Sequence, residues 1–135
     1  AEPDLSGDTS DSIRYWRGVQ VTKMPDGTVQ KSPANLMSCH NHARNEHYLK
    51  DVDTGEIFGR GKSKYHYTYK NGNHHLAIND RSQPSMTQDA VIDFFETEDT
   101  LTGKGTSNVE LRDPSSGRVT RQSLSFSYQL KRVKN

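Results

Sequence analysis

Two adjacent residues near the middle of the chain, Asn71 and Gly72, constrain the fold more than any others. Asn-Gly is the preferred pair for a two-residue type I′ turn, because both positions need φ > 0 and the turn's twist matches the strands it joins. A two-residue loop allows one register. Lys70 faces Asn73, Tyr69 faces His74, Thr68 faces His75, Tyr67 faces Leu76, His66 faces Ala77 and Tyr65 faces Ile78. Opposed residues share a face. Tyr65, Tyr67, Tyr69, His74, Leu76 and Ile78 therefore lie on one side, and Lys64, His66, Thr68, Lys70 and His75 on the other. A half-buried antiparallel sheet has this pattern.

The same alternation recurs along the chain. Leu124, Phe126, Tyr128 and Leu130 alternate with Ser123, Ser125, Ser127 and Gln129, which predicts one long strand over 119–133 with Phe126 deeply buried. Thr106–Arg112 reads as another strand, joined to it through the turn residues Asp113-Pro114-Ser115-Ser116-Gly117. Ile13, Tyr15, Val19 and Val21 fall on one face of a first strand, with Trp16 on the other, and Pro25-Asp26-Gly27 turns it into the strand at 29–31. Residues 85–98 fit either period. Ser85 with Gln88 matches a capping box, but Ala90, Ile92 and Phe94 alternate, and the density of β-branched and aromatic residues favours a strand.

Residues 33–47 read differently. Ser32-Pro33 can start a helix, and Leu36, His40, Ala43 and His47 recur at helical spacing. One short helix is expected there, although Asn35, Asn41 and Asn45 compete with it through local side-chain bonds. Next, Asp51-Val52-Asp53-Thr54-Gly55 resembles the start of a calcium loop. Its glycine comes one place early and Lys62 stands where the bidentate glutamate belongs, so a polar turn is the better reading.

Composition narrows the classes. The 135 residues suit one domain. Eighteen Lys and Arg against 17 Asp and Glu leave a net charge of +1, too little to draw in nucleic acid by charge alone. No apolar run approaches the ~20 residues that span a bilayer. The first twelve residues carry four acids and little that can pack, and read as a flexible acidic arm ahead of a single β-rich domain over 13–135. The compartment stays open: a soluble chain starting at Ala1 without Met is compatible with a secreted or periplasmic protein after signal removal, and equally with a trimmed one. Cys39 is the single cysteine, which excludes an internal disulfide and a cysteine-rich zinc site, and it reads as a small buried apolar residue.

The reactive residue in excess is histidine, with six. His40 and His47 sit seven apart, which does not match the i, i+4 pair of a helical zinc site. His66 and His75 lie diagonally across the hairpin's polar face and form a candidate, though disfavoured, metal pair. On its apolar face, Tyr65, Tyr67, Tyr69 and His74 are the candidate ligand-binding residues, with core packing the plainer alternative. The lysines project to the opposite face, so the tyrosines and lysines do not make one nucleic-acid platform. GRGKSK over 59–64 lacks the spacing of a phosphate loop, and no motif calls for a cofactor.

The expected fold is mainly β: a single antiparallel barrel or sandwich of about seven to eight strands by the turn spacing, with the one helix near 33–47. The expected function is a non-catalytic binding or assembly module for a protein partner, a second copy of the chain or a small apolar ligand. The alternative is a small cofactor-independent barrel enzyme using Tyr and His acid–base chemistry on an apolar substrate. A cavity under the tyrosine stripe would favour a ligand carrier or enzyme; a packed interior would favour assembly.

Overall fold

The computed structural model describes residues 13–59 and 65–133. The proposed acidic arm and most of the GRGKSK segment lie outside the described residues. Nine strands follow in order: β1 (Ile13–Lys23), β2 (Val29–Asn41), β3 (Glu46–Asp51), β4 (Ile57–Gly59), β5 (His66–Lys70), β6 (Asn73–Gln83), β7 (Met86–Glu96), β8 (Thr100–Arg112) and β9 (Val119–Arg132). Each pairs antiparallel with its chain neighbour, except β4 with β5, and β9 returns to pair with β1, giving the order β4-β3-β2-β1-β9-β8-β7-β6-β5. The result is a nearly closed antiparallel barrel. Among the described residues the ladder is interrupted between β4 and β5, not between the first and last strands.

The hairpin register around Asn71-Gly72 is the expected one, from Lys70↔Asn73 to His66↔Ala77. Asn71 and Gly72 both have positive φ, 49° and 85°. A Cβ on Gly72 would also come within 2.7 Å of the Glu96 carbonyl oxygen. Gly72→Val should therefore lower stability by about 1–3 kcal/mol, read as a shift of the urea midpoint. An unshifted midpoint would refute the turn.

Residues 86–96 form a strand, as the β-branched content suggested. The helix expected near 33–47 is not formed. Those residues make most of β2, a turn over 42–45, and the start of β3. The asparagines explain the difference. Asn41 Oδ1 accepts a hydrogen bond from the Arg44 amide at 3.1 Å, and Asn45 takes φ 51°, so local side-chain bonding closes a hairpin turn in place of a helical one.

The barrel interior is Trp16, Ala34, Leu36, Leu49, Tyr67, Leu76, Phe94, Leu101 and Leu130. On β1 the inward face is that of Trp16, while Tyr15 and Val19 on the other face are exposed. The small residues permit this. A Cβ on Gly18 would overlap the backbone carbonyl oxygen of Gln129, so only glycine lets β1 and β9 approach this closely. On β8, Gly103 lies under the rings of Phe94 and Tyr128, which meet at 4.8 Å between centroids. Phe126, expected deep in the core, is only partly buried. It sits opposite Gly105 on β8 and Thr22 on β1, toward the end bearing the β1–β2 turn.

Candidate functional site

Two features distinguish the barrel's two ends. Toward the end bearing the β1–β2 and β3–β4 turns lies a cavity of about 230 Å³. Its floor is aliphatic and aromatic, from Leu36, Leu49, Leu76, Ile92 and Phe94. Phe58, Tyr65 and Tyr128 supply the walls, and Asp51, Asp53 and Thr54 stand at the mouth. Phe58 and Tyr65 meet edge-to-face at 5.7 Å, so their side chains join the β4 and β5 sides of the wall. Burial raises the pKa of Tyr128 to about 12, helped by the negative charge of Asp51, and burial raises that of Tyr65. Both phenols are thus protonated near neutral pH and can donate hydrogen bonds.

A small residue on β2 helps create the space. Ala34, opposite Gly18 on β1, lines the cavity beside Leu36 and Leu49, and its methyl leaves room that a larger side chain would take. Asp51 is held by the turn it begins: its Oδ1 accepts from the amides of Asp53 at 2.9 Å and Thr54 at 3.1 Å. These residues, read from sequence as a polar turn, form part of the cavity's acidic mouth.

At the opposite end, polar side chains meet inside the barrel. His74 is fully buried, His40 is 4% exposed, and the Glu96 side chain is 2% exposed. His74 Nε2 donates to Glu96 Oε1 at 2.8 Å, while its Nδ1 accepts from the Tyr67 hydroxyl at 2.7 Å. His40 Nε2 lies 3.0 Å from each Glu96 oxygen, and its Nδ1 lies 2.8 Å from His47 Nδ1. Arg14 Nη1 donates to Glu96 Oε2 at 3.2 Å. Burial alone would raise the Glu96 pKa, but hydrogen bonds from His40 and His74 outweigh it and bring it down to about 2. Burial holds the His74 pKa below its usual value, so the ring is neutral. His47 is pushed down to about 4 by burial and by repulsion from His40, His42 and His74.

This cluster also fastens the barrel. Among the described residues, β4 pairs with Tyr48, Leu49 and Lys50. Beyond those pairs the rings of His47 and Tyr69 stack at 4.2 Å, a side-chain contact between β3 and β5.

The residues singled out by sequence are divided between these regions. Tyr65 lines the cavity. Tyr67, Tyr69 and His74 do not line it; they belong to the polar cluster, where the Tyr69 hydroxyl accepts from the Gly72 amide at 3.1 Å. His66 is exposed on the outer face, and His75 beside it bonds Asp93 at 2.7 Å. His40, His47, Glu96 and Arg14 were not picked out as a group. One signal was present for Glu96: it continues the alternation Ala90, Ile92, Phe94 inward, and an acid in such a series marks a buried charge that needs partners.

Among the described residues no helix is long and apolar enough to cross a membrane. Compared with models of known protein families, with curated proteins and with solved structures, the chain finds no match.

Proposed function

We propose that the chain is a small-molecule binding barrel that holds a compact apolar ligand bearing a neutral or cationic donor group. The cavity carries this reading. A cavity of ~150 Å³ with aliphatic walls is enough for benzene. A volume of about 230 Å³ suits a one- or two-ring molecule, with its apolar body against Leu36, Leu49, Leu76 and Phe94. Asp51 and Asp53 at the mouth favour a donor or a positive charge there and disfavour an anion. Tyr65 and Tyr128 supply hydroxyls that orient a polar substituent. Binding is preferred over acid–base catalysis because the Tyr67–His74 pair faces the other end of the barrel.

The test is isothermal titration calorimetry with indole, tryptamine and indole-3-acetate. Indole and tryptamine should bind saturably at one site, and indole-3-acetate more weakly. Ala34→Phe, which fills the cavity from β2, should abolish binding while the far-UV circular dichroism spectrum stays that of the parent. If none of the three ligands saturates, or if Ala34→Phe binds them unchanged, the cavity is not a binding site for this class.

A further inference from the structure

The cavity leaves the cluster at the other end without a use, and its geometry has a feature that barrel closure does not require. His40 comes from β2, while His74 and Glu96 come from the adjacent strands β6 and β7. All three reach into the interior and bring His40 Nε2, His74 Nε2 and a Glu96 oxygen within 4.8 Å of one another. We propose that His40, His74 and Glu96 form a binding site for one divalent transition-metal ion of the zinc type.

Distances and ligand chemistry agree. Tetrahedral zinc binds imidazole nitrogen and carboxylate oxygen at ~2.0–2.1 Å, which spaces neighbouring ligand atoms by roughly 3.3 Å. The two nitrogen–oxygen separations are now 2.8 and 3.0 Å. Opening them by a few tenths of an ångström, as the histidines close on one another, accommodates an ion. Two imidazoles and one carboxylate suit zinc, cobalt or ferrous iron; calcium and magnesium prefer all-oxygen sites. Three protein ligands also leave a fourth position, the arrangement that keeps a water or substrate on the metal.

The surrounding groups favour the same reading. A histidine that binds through Nε2 holds its proton on Nδ1 and needs an acceptor there. Both rings have one. His74 Nδ1 faces the Tyr67 hydroxyl and His40 Nδ1 faces His47 Nδ1. The Tyr67 hydroxyl donates to His74 in the metal-free network and can turn to accept from it, since a hydroxyl does both. His47 Nδ1, 2.8 Å from His40 Nδ1, can accept from His40 in the same way. Arg14 opposes the ion, because its charge lies against Glu96. Its side chain is 26% exposed and can swing outward, giving up its bonds to Glu96 and to the Thr97 carbonyl oxygen.

Equilibrium dialysis of the full chain against zinc, and the visible absorption of bound cobalt, test the site. The wild-type protein should bind one equivalent of either ion, and cobalt should show the intense visible bands of a low-symmetry site. His40→Ala and Glu96→Gln should each weaken binding by more than about tenfold, and Tyr67→Phe by about tenfold with a shifted cobalt spectrum, as expected for a group that positions a ligand. His66→Ala and His75→Ala should bind as wild type. Circular dichroism checks that each variant keeps its fold, and the wild-type stoichiometry stands even if one does not. No stoichiometric binding to the wild type would overturn the proposal, leaving a hydrogen-bonded seam only. So would loss of binding in His66→Ala or His75→Ala, which would move the metal to the outer face. Neither result bears on ligand binding at the other end of the barrel.

Discussion

Trp16→Ala should lower unfolding stability by about 3–5 kcal/mol, the cost of deleting a large aromatic ring from a packed core. Trp16 is 1% exposed and belongs to the central cluster with Leu36, Leu49, Leu101 and Leu130. By strand position it separates the cavity from the polar end: Arg14 precedes it on the inward face of β1, and Gly18 and Gln20 follow. Its indole Nε1 also donates to the Ser38 hydroxyl at 2.9 Å, a bond buried with the ring. Trp16→Phe keeps most of the packing but leaves Ser38 without this donor, and should cost about 1–3 kcal/mol. Domains of this size have roughly 5–15 kcal/mol in total, so the alanine variant is expected to be partly unfolded at moderate temperature. Urea denaturation with an unchanged m-value measures both. A loss under about 1 kcal/mol for Trp16→Ala would mean that the ring is peripheral, which its burial contradicts.

Glu96→Ala should cost a comparable amount, about 3–5 kcal/mol, for an electrostatic reason. One carboxylate serves His40, His74 and Arg14. Removing it leaves two buried ring nitrogens without an acceptor and takes from Arg14 its carboxylate partner. Glu96→Gln keeps the shape and one acceptor oxygen, and should lose about 1–3 kcal/mol. The denaturation must be done with a chelator present, because a metal that binds the native state adds stability by mass action and would mask the difference. Equal midpoints for wild type and Glu96→Ala would show that the carboxylate is not the hub of the network.

Local chemistry made much of the architecture readable. Asn71-Gly72 fixes a loop of two residues, and a two-residue loop leaves no choice of partner, so the β5–β6 pairs follow in order. The alternation in β9 and the β-branched content of β7 likewise specify strands from neighbours alone. Between His40 and His47 the same local information was ambiguous. A spacing of seven fits two turns of helix, and it also fits directly opposed positions one pair back from a four-residue hairpin turn, which is where they lie. The bonds of Asn41 and the left-handed Asn45 decide for the hairpin.

By itself the sequence determined which residues share a strand face, because side-chain alternation and turn geometry act over a few bonds. It did not determine which face of β1 points inward: four apolar residues stood on one side and Trp16 on the other. Closure of the sheet decided that. β9 returning to β1 turns the Trp16 face inward, with Gly18 allowing the close approach and Ala34 leaving room for the cavity. The polar cluster was equally a product of closure. His40 and Glu96 are 56 residues apart, and Arg14 and Glu96 82 apart. No local periodicity links residues at such separations; they meet because strands distant in sequence converge on one end of the same barrel, where a buried carboxylate must find its partners.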